Sequence, residues 1–419
     1  MRSPALLQSG FADLELQAQG VTLEKSLQKI SGFLDQHGEL IEMVRQDLCR
    51  QLKRPQTGRE GITAEQVLRS FILKSVKDWD FRELAERTAD GYTLRLFTTF
   101  FCQRVPRHDA FHRAFTRLTP ETLRAINDAV VRAAVEMGIE DGKKLRADTT
   151  VVETNIHFPT DSTLLYDCVR VVTRLVRRLR KNLPTLSGSR FPNHTRAARR
   201  RMQEIQRMTP KQRHEEQVPK YRELIRITAK VVARARELLA LARETSPADP
   251  LEALTSKSLA EEIEHYLSLA DRVIHQARRR VLQGQSVANA EKIFSIFQPH
   301  TDLIMRGKTE KPVEFGHKVL LTESRIGLIT DYRILPGNPP DEIHVVPSLQ
   351  RHRERFGAAP QLFAADRGFY SQANVTACQN AGVATECFPQ RGGKKSPQRK
   401  AYEKSPAFKK GQPFRAGIE

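Results

Sequence analysis

The feature that most constrains this chain is the stretch GKKLRADTTVVETNI, residues 142–156, where β-branched residues dominate and no helical period survives. Leu145, Ala147, Thr149 and Val151 fall on one face of the extended chain, and Asp148, Thr150 and Val152 on the other. The segment reads as a strand that is apolar on both sides apart from one aspartate. A carboxylate there costs several kcal/mol to bury unless a cation, a hydrogen bond or water compensates it. Asp148 is therefore either an edge or hydrogen-bonded structural carboxylate, or a ligand. Asp366 repeats the pattern: QLFAAD is the short apolar run of a central parallel strand, and its aspartate falls where the strand ends, the place at which open α/β sheets bind ligands. If the two strands are neighbours, the carboxylates converge on a hard cation, Mg2+ or Mn2+. His157, His300, His317 and His344 stand isolated in the sequence and read as surface or satisfied side chains.

Helical patterns lie on either side of the first strand. GITAEQVLRSFILKSV offers Thr63 as N-cap with Gln66 completing a capping box, ahead of Val67, Leu68, Phe71, Ile72 and Val76 on one face. DFRELAERTAD continues the series, and HDAFHRAFTRLTPETLRAINDAVVRAAVEMG reads as two helices broken near Thr119 and Pro120, compatible with a bundle and with a helix-turn-helix. Beyond residue 284, strand signals return in EKIFSIF, FGHKVLLTES and LITDYRIL. Asp341, in the turn PGNPPDE, reads as the cap of EIHVVPSLQRHRERFG, and QLFAAD, the helix SQANVTACQNAG and the strand VATECFP follow. This order describes a mixed α/β sheet. RGGKKSPQRKAYEKSPAFKKGQPF reads as a basic, Pro-punctuated loop leading to Glu419. Arg415 and Glu419 are spaced i and i+4, so on a helix they share one face.

The net charge of +20 exceeds what solubility needs and points to a polyanionic partner, most simply nucleic acid. It is concentrated between Arg170 and Lys230, where 18 Lys and Arg face 4 Glu and no Asp, within a run of helices over 164–288. A solvated helical face normally mixes signs, so this one reads as a surface for phosphates, with Arg177, Arg178, Arg199 and Arg200 as candidate contacts. Five scattered cysteines without a C-x-x-C pair read as thiols of a reducing cytoplasm, and no apolar run is long enough for a membrane span.

With Asp148 in LRADTTVVETNI, Asp366 in LFAADRGFY and Glu419 in FRAGIE, the chain resembles bacterial insertion-sequence transposases of the DDE type, closest to the ISNCY group. The likeness covers about residues 60–165 and 290–419. It implies an α+β protein: an N-terminal helical, DNA-binding domain (1–140) and a ribonuclease H-like catalytic core, whose first strand (141–163) is separated from its remainder (289–419) by the basic helical insertion (164–288). It further implies that Asp148, Asp366 and Glu419 hold two divalent ions, Mg2+ or Mn2+, for cleavage and transfer of DNA strands, with transposon ends and target DNA as partners and a homodimer or higher assembly holding two ends. Arg415 matches the family's phosphate-facing arginine, while Gln412 stands where a tyrosine is common. The chain stops before the lysine that follows the family's glutamate, so the resemblance leads to the expectation of a truncated copy whose closing helix is missing. Two alternatives stay open: a non-catalytic DNA-binding relic of a transposase, and a ribonuclease H-like nuclease that cleaves without joining.

Overall fold

The computed structural model describes residues 18–50, 52, 61–186, 188–244, 249–305 and 312–417, and it is an α+β protein. Two compact units divide the chain, one of residues 1–145, 323–331 and 351–362, the other of 146–322, 332–350 and 363–419.

The first unit is led by seven helices: α1 (Lys25–Gln36), α2 (Gly38–Cys49), α3 (Ala64–Lys77), α4 (Phe81–Asp90), α5 (Tyr92–Phe97), α6 (His108–Phe115) and α7 (Pro120–Glu136). The capping box forms: Gln66 N–H donates to Thr63 Oγ1 at 3.2 Å and Thr63 N–H to Gln66 Oε1 at 3.1 Å, satisfying two otherwise orphaned donors. Thr119 caps α7, with Pro120 in the first turn, where its missing N–H costs nothing. Leu34, Val44, Leu68, Leu84, Phe97 and Phe111 share one apolar core. Val76, expected on that face, is exposed. Arg69 is buried instead, held by Glu65 at 2.8 Å and Asp35 at 2.6 Å.

The sheet has six strands, β1 (Lys144–Glu153), β2 (Asp302–Met305), β3 (Val313–Ser324), β4 (Ile329–Leu335), β5 (Leu362–Ala365) and β6 (Thr385–Cys387), in the order β2-β3-β1-β5-β6 with β4 also pairing β3. β2 and β3 are antiparallel, with Asp302 opposite Gly316. Gly316 is where β3 meets β1 most tightly: a Cβ there would stand 2.1 Å from the Val152 carbonyl oxygen and 2.8 Å from the Glu153 Cα. Both are backbone atoms that no rotamer change can move. Gly316→Ala is therefore expected to force β3 from β1 and cost about 3 kcal/mol or more in a denaturant melt; an unchanged midpoint would show that the strands separate freely.

β1 is less apolar than expected, because Arg146 is buried in it and Thr150, Val152 and Glu153 are exposed. EKIFSIF is not a strand. Its apolar residues Ile293 and Ile296 pack into the helical core, and its backbone donors go to side chains: Ile293 N–H to Gln276 Oε1 at 2.8 Å, Phe297 N–H to Ser295 Oγ at 3.2 Å. Ile293 to Ile296 are buried continuously, and the strand nearby is β2, which no sequence signal marked.

Between β1 and β2 run α8 (Asp161–Asn182), α9 (Thr195–Gln206), α10 (Pro210–Glu244) and α11 (Pro250–Ala277), the last ending in a π-type turn over Arg278–Leu282. Buried Leu165, Val172, Leu179, Leu224, Leu238, Ile263 and Val273 hold them in one core. After a short 3₁₀ turn, α12 spans Val345–Phe356, and α13 spans Gln372–Asn380.

The stretch expected to be a loop after residue 390 folds into α14 (Pro397–Lys404) and α15 (Pro406–Ala416). Each serine-proline pair starts a helix: Ser396 Oγ accepts from Arg399 N–H at 3.1 Å and Ser405 Oγ from Phe408 N–H at 3.3 Å, with proline at the first helical position. The helix expected to be missing is the one that would carry Glu419, which lies outside the described residues; within them the last helix is α15. Arg146 seats it: its Nη1 donates to the Phe414 carbonyl at 2.7 Å and its guanidinium lies 5.0 Å from the Phe414 ring centroid, a cation at a helix C-terminus.

Candidate active site

β5 begins beside β1, where the N–H groups of Gln361 and Leu362 donate to the Lys143 carbonyl at 2.8 and 3.1 Å. The two aspartate motifs therefore sit on neighbouring strands. Asp148 is half-buried in β1, and its Oδ1 accepts from Thr149 N–H at 2.7 Å. Asp366, half-buried just past β5, caps the turn Arg367–Phe369 by accepting from Gly368 N–H at 2.7 Å.

Asp341 joins the two motifs. It does not cap the helix that follows, since Pro340 holds that position without a side-chain bond. Its Oδ1 instead accepts from Thr149 Oγ1, next to Asp148, at 3.0 Å, and pairs with Lys318 Nζ at 2.7 Å. On its other side, Asp341 Oδ2 and Asp366 Oδ1 stand 2.7 and 2.9 Å from the point a Cβ on Gly368 would occupy, so only glycine leaves both carboxylates in place. Lys318, which is 7% exposed, also donates to the Pro339 carbonyl at 2.7 Å. Asp341 and Asp366 thus face each other across Gly368, with Lys318 paired to Asp341. Neither Asp341 nor Lys318 stood out in the sequence as a site residue. The lysine inside the apolar run KVLL was the available signal, because a buried ammonium needs an anion.

Glu419 lies outside the described residues. Arg415 is half-buried on α15, its Nε shielded and without a hydrogen-bond partner among the described residues. In the insertion, Arg177, Arg178, Arg199 and Arg200 are all exposed. Arg200 pairs with Glu204 at 3.0 Å, and Glu204 also holds Arg201 at 2.7 Å and Lys220 at 3.1 Å. Burial pushes the Glu204 carboxyl up, but hydrogen bonds from Lys220, Arg200 and Arg201 outweigh it and leave it at about 2, so these cations stay committed to an ionised partner.

His157, His300 and His317 are not isolated: His157 Nε2 lies 3.4 Å from Asp167 Oδ2. His300 Nδ1 and His317 Nε2 are 2.7 Å apart with stacked rings, and His317 lies 3.6 Å from Asp302. All five cysteines are free, and burial pushes the Cys378 and Cys387 thiols up to about 12 and about 11. No helix among the described residues is long and apolar enough to cross a membrane.

The mixed sheet thus carries Asp148 within β1 and Asp366 just past the neighbouring β5, in the same unit as a cationic helical insertion. Residues 18–117 match the family model described as Transposase domain (DUF772). The match covers α1 to α6 and supports a transposase function in general terms; it ends ahead of β1 and the aspartates. Comparisons with curated proteins and with solved structures gave no match.

Proposed function

We propose that this protein is a DDE-type DNA transposase with a ribonuclease H-like core, in which Asp148 and Asp366 hold the divalent cations and Glu419 completes the set. The carrying observation is that β1 and β5 are neighbours, with Asp341 bridging their two aspartate motifs. The strand order supports the core assignment: β1 is central, with the β3 and β4 pair on one side and β5 and β6, reached through α12 and α13, on the other.

The donors fit Mg2+ or Mn2+. They are carboxylate oxygens only, and Mg2+ is usually held by one or two carboxylates together with water and substrate phosphates rather than by an all-protein cage. Among the described residues no group of three or more His, Cys, Asp or Glu is placed to hold a metal ion, so the proposal rests on Asp148 and Asp366 with Glu419, water and phosphate as further donors. When bound, two such cations supply an activated water or 3′-hydroxyl and offset charge on the transferring phosphoryl group. The protein's own part is positional. Gly368 N–H fixes the Asp366 carboxylate, Thr149 N–H fixes Asp148, and Lys318 pins Asp341, offsetting its charge beside Asp366. The helical unit that matches the transposase domain would engage transposon ends, and Arg415, Arg177, Arg178, Arg199 and Arg200 would face phosphates. Two copies or more would hold two ends together.

The test is strand nicking of DNA carrying the element's ends, with Mg2+ or Mn2+. Asp366→Asn is expected to keep DNA binding and lose nicking; cation-dependent nicking that survives the change would place the chemistry elsewhere.

A further inference from the structure

We infer that Arg222, Arg226 and Lys230 of α10, together with Arg278, form a track for successive phosphates of one DNA strand, distinct from the arginines named above and resting on the DNA-acting reading. The three α10 residues are spaced by four, so they lie along one side of the helix at steps of about 6 Å. That is the length scale of one nucleotide of backbone, and long flexible side chains cover the remainder. All three are exposed, as is Arg278, and none forms an ion pair with a carboxylate among the described residues.

The surroundings form a groove rather than a bare face. A cavity of about 510 Å³ is lined by Arg222, Arg226, Lys230 and Arg278 over a floor of Ile225, Ala229 and Leu282. Cations along the rim and apolar atoms beneath match a chain of phosphates joined by sugars. Arg278 and Leu282 come from the π-type turn that ends α11, a winding that frequently marks functional positions. Lys230 also lines a second cavity of about 480 Å³, with Arg190 and His194, so the path continues past a single phosphate group. An isolated anion would need one pocket; an extended polyanion uses both.

The contrast with nearby cations is the second support. Arg200 and Arg201 of α9 and Lys220 of α10 are paired with Glu204 and Glu223, whereas the row at 222, 226 and 230 forms no such ion pair among the described residues. Unpaired cations repel one another and destabilise the helix by a few tenths of a kcal/mol per pair, a cost that a bound polyanion removes.

The experiment is fluorescence anisotropy of the full chain with a short labelled DNA duplex over a series of salt concentrations. R222Q/R226Q/K230Q is expected to lower the slope of log affinity against log salt by about 3 and to weaken binding on the order of 100-fold at moderate salt. The charge-preserving R222K/R226K/K230R is expected to bind as the parent does, which separates loss of contacts from loss of fold. R207Q/K211Q/R213Q removes equal charge from exposed residues just before α10 and in its first turn and is expected to have a much smaller effect. Equal losses from the two Gln triples would overturn the track and leave the transposase reading standing. A parent chain that binds no DNA would overturn both.

Discussion

Asp148→Asn abolishes cation-dependent strand cleavage, by about a thousandfold or more, and leaves DNA affinity unchanged or slightly raised: this is the largest effect expected of any single change. Cation stabilisation of a transferring phosphoryl group is worth several kcal/mol, and each 1.36 kcal/mol is a factor of about 10 in rate. The amide keeps the volume of the carboxylate, and its oxygen can still accept from Thr149 N–H, now at 2.7 Å, so the strand has no reason to rearrange. What it loses is the negative charge that, on the proposed function, would recruit a divalent ion. Removing that charge also eases the approach of phosphates, which is why binding should not fall. Single-turnover cleavage with parallel binding measurements checks both halves. A variant that loses binding and cleavage together would mean that Asp148 is structural.

The second large effect concerns the helices after β6. Glu386 is 4% exposed and Arg399 10% at their side chains, and they pair at 3.0 Å while Tyr402 Oη donates to Glu386 Oε2 at 2.7 Å. The Arg399 guanidinium also reaches the Phe388 carbonyl and Glu403 and lies over the rings of Tyr370, Tyr402 and Phe408, at 4.9, 5.2 and 5.6 Å from their centroids. Arg399→Met removes the cation from a buried carboxylate, and breaking such a pair on one side costs about 3–5 kcal/mol. Because α15 packs on β6 through Phe408, whose carbonyl accepts from Cys387 Sγ, the change should loosen both terminal helices before the rest of the unit. Hydrogen exchange should therefore rise first over 397–416. The double change Glu386→Gln with Arg399→Met, which leaves no bare charge, is expected to recover part of the loss. Exchange that rises evenly across the unit would contradict a local lock.

The parts of the fold legible in the sequence are those where one side chain's chemistry acts locally. The Thr63 and Gln66 capping box, the Thr119 cap and the β-branched run around Asp148 need no partner elsewhere to be read. Asp148 and Asp366 stood out because a carboxylate is costly in an apolar strand, and their strands are indeed neighbours. The failures have a common cause in tertiary context. EKIFSIF has the β-branched and aromatic residues of a strand, yet Gln276 and Ser295 take its backbone donors. The stretch after residue 390 is rich in Gly and Pro, which weigh against helix; Pro397 and Pro406 are tolerated because they sit in a first turn behind serine, while Pro413 lies inside α15. Asp341 looked like a cap because the groups that hold it, Lys318 and Thr149, are remote in sequence. Arg146 gave no sign that it would fasten α15, since nothing local distinguishes it from any strand arginine.

Titration of the intact chain with Mn2+, followed by electron paramagnetic resonance, tests most directly whether the two aspartate motifs share a cation. The account predicts that the parent chain binds Mn2+ and that Asp148→Asn and Asp366→Asn each remove that binding while both proteins stay folded. Unaltered Mn2+ binding in both variants would contradict it.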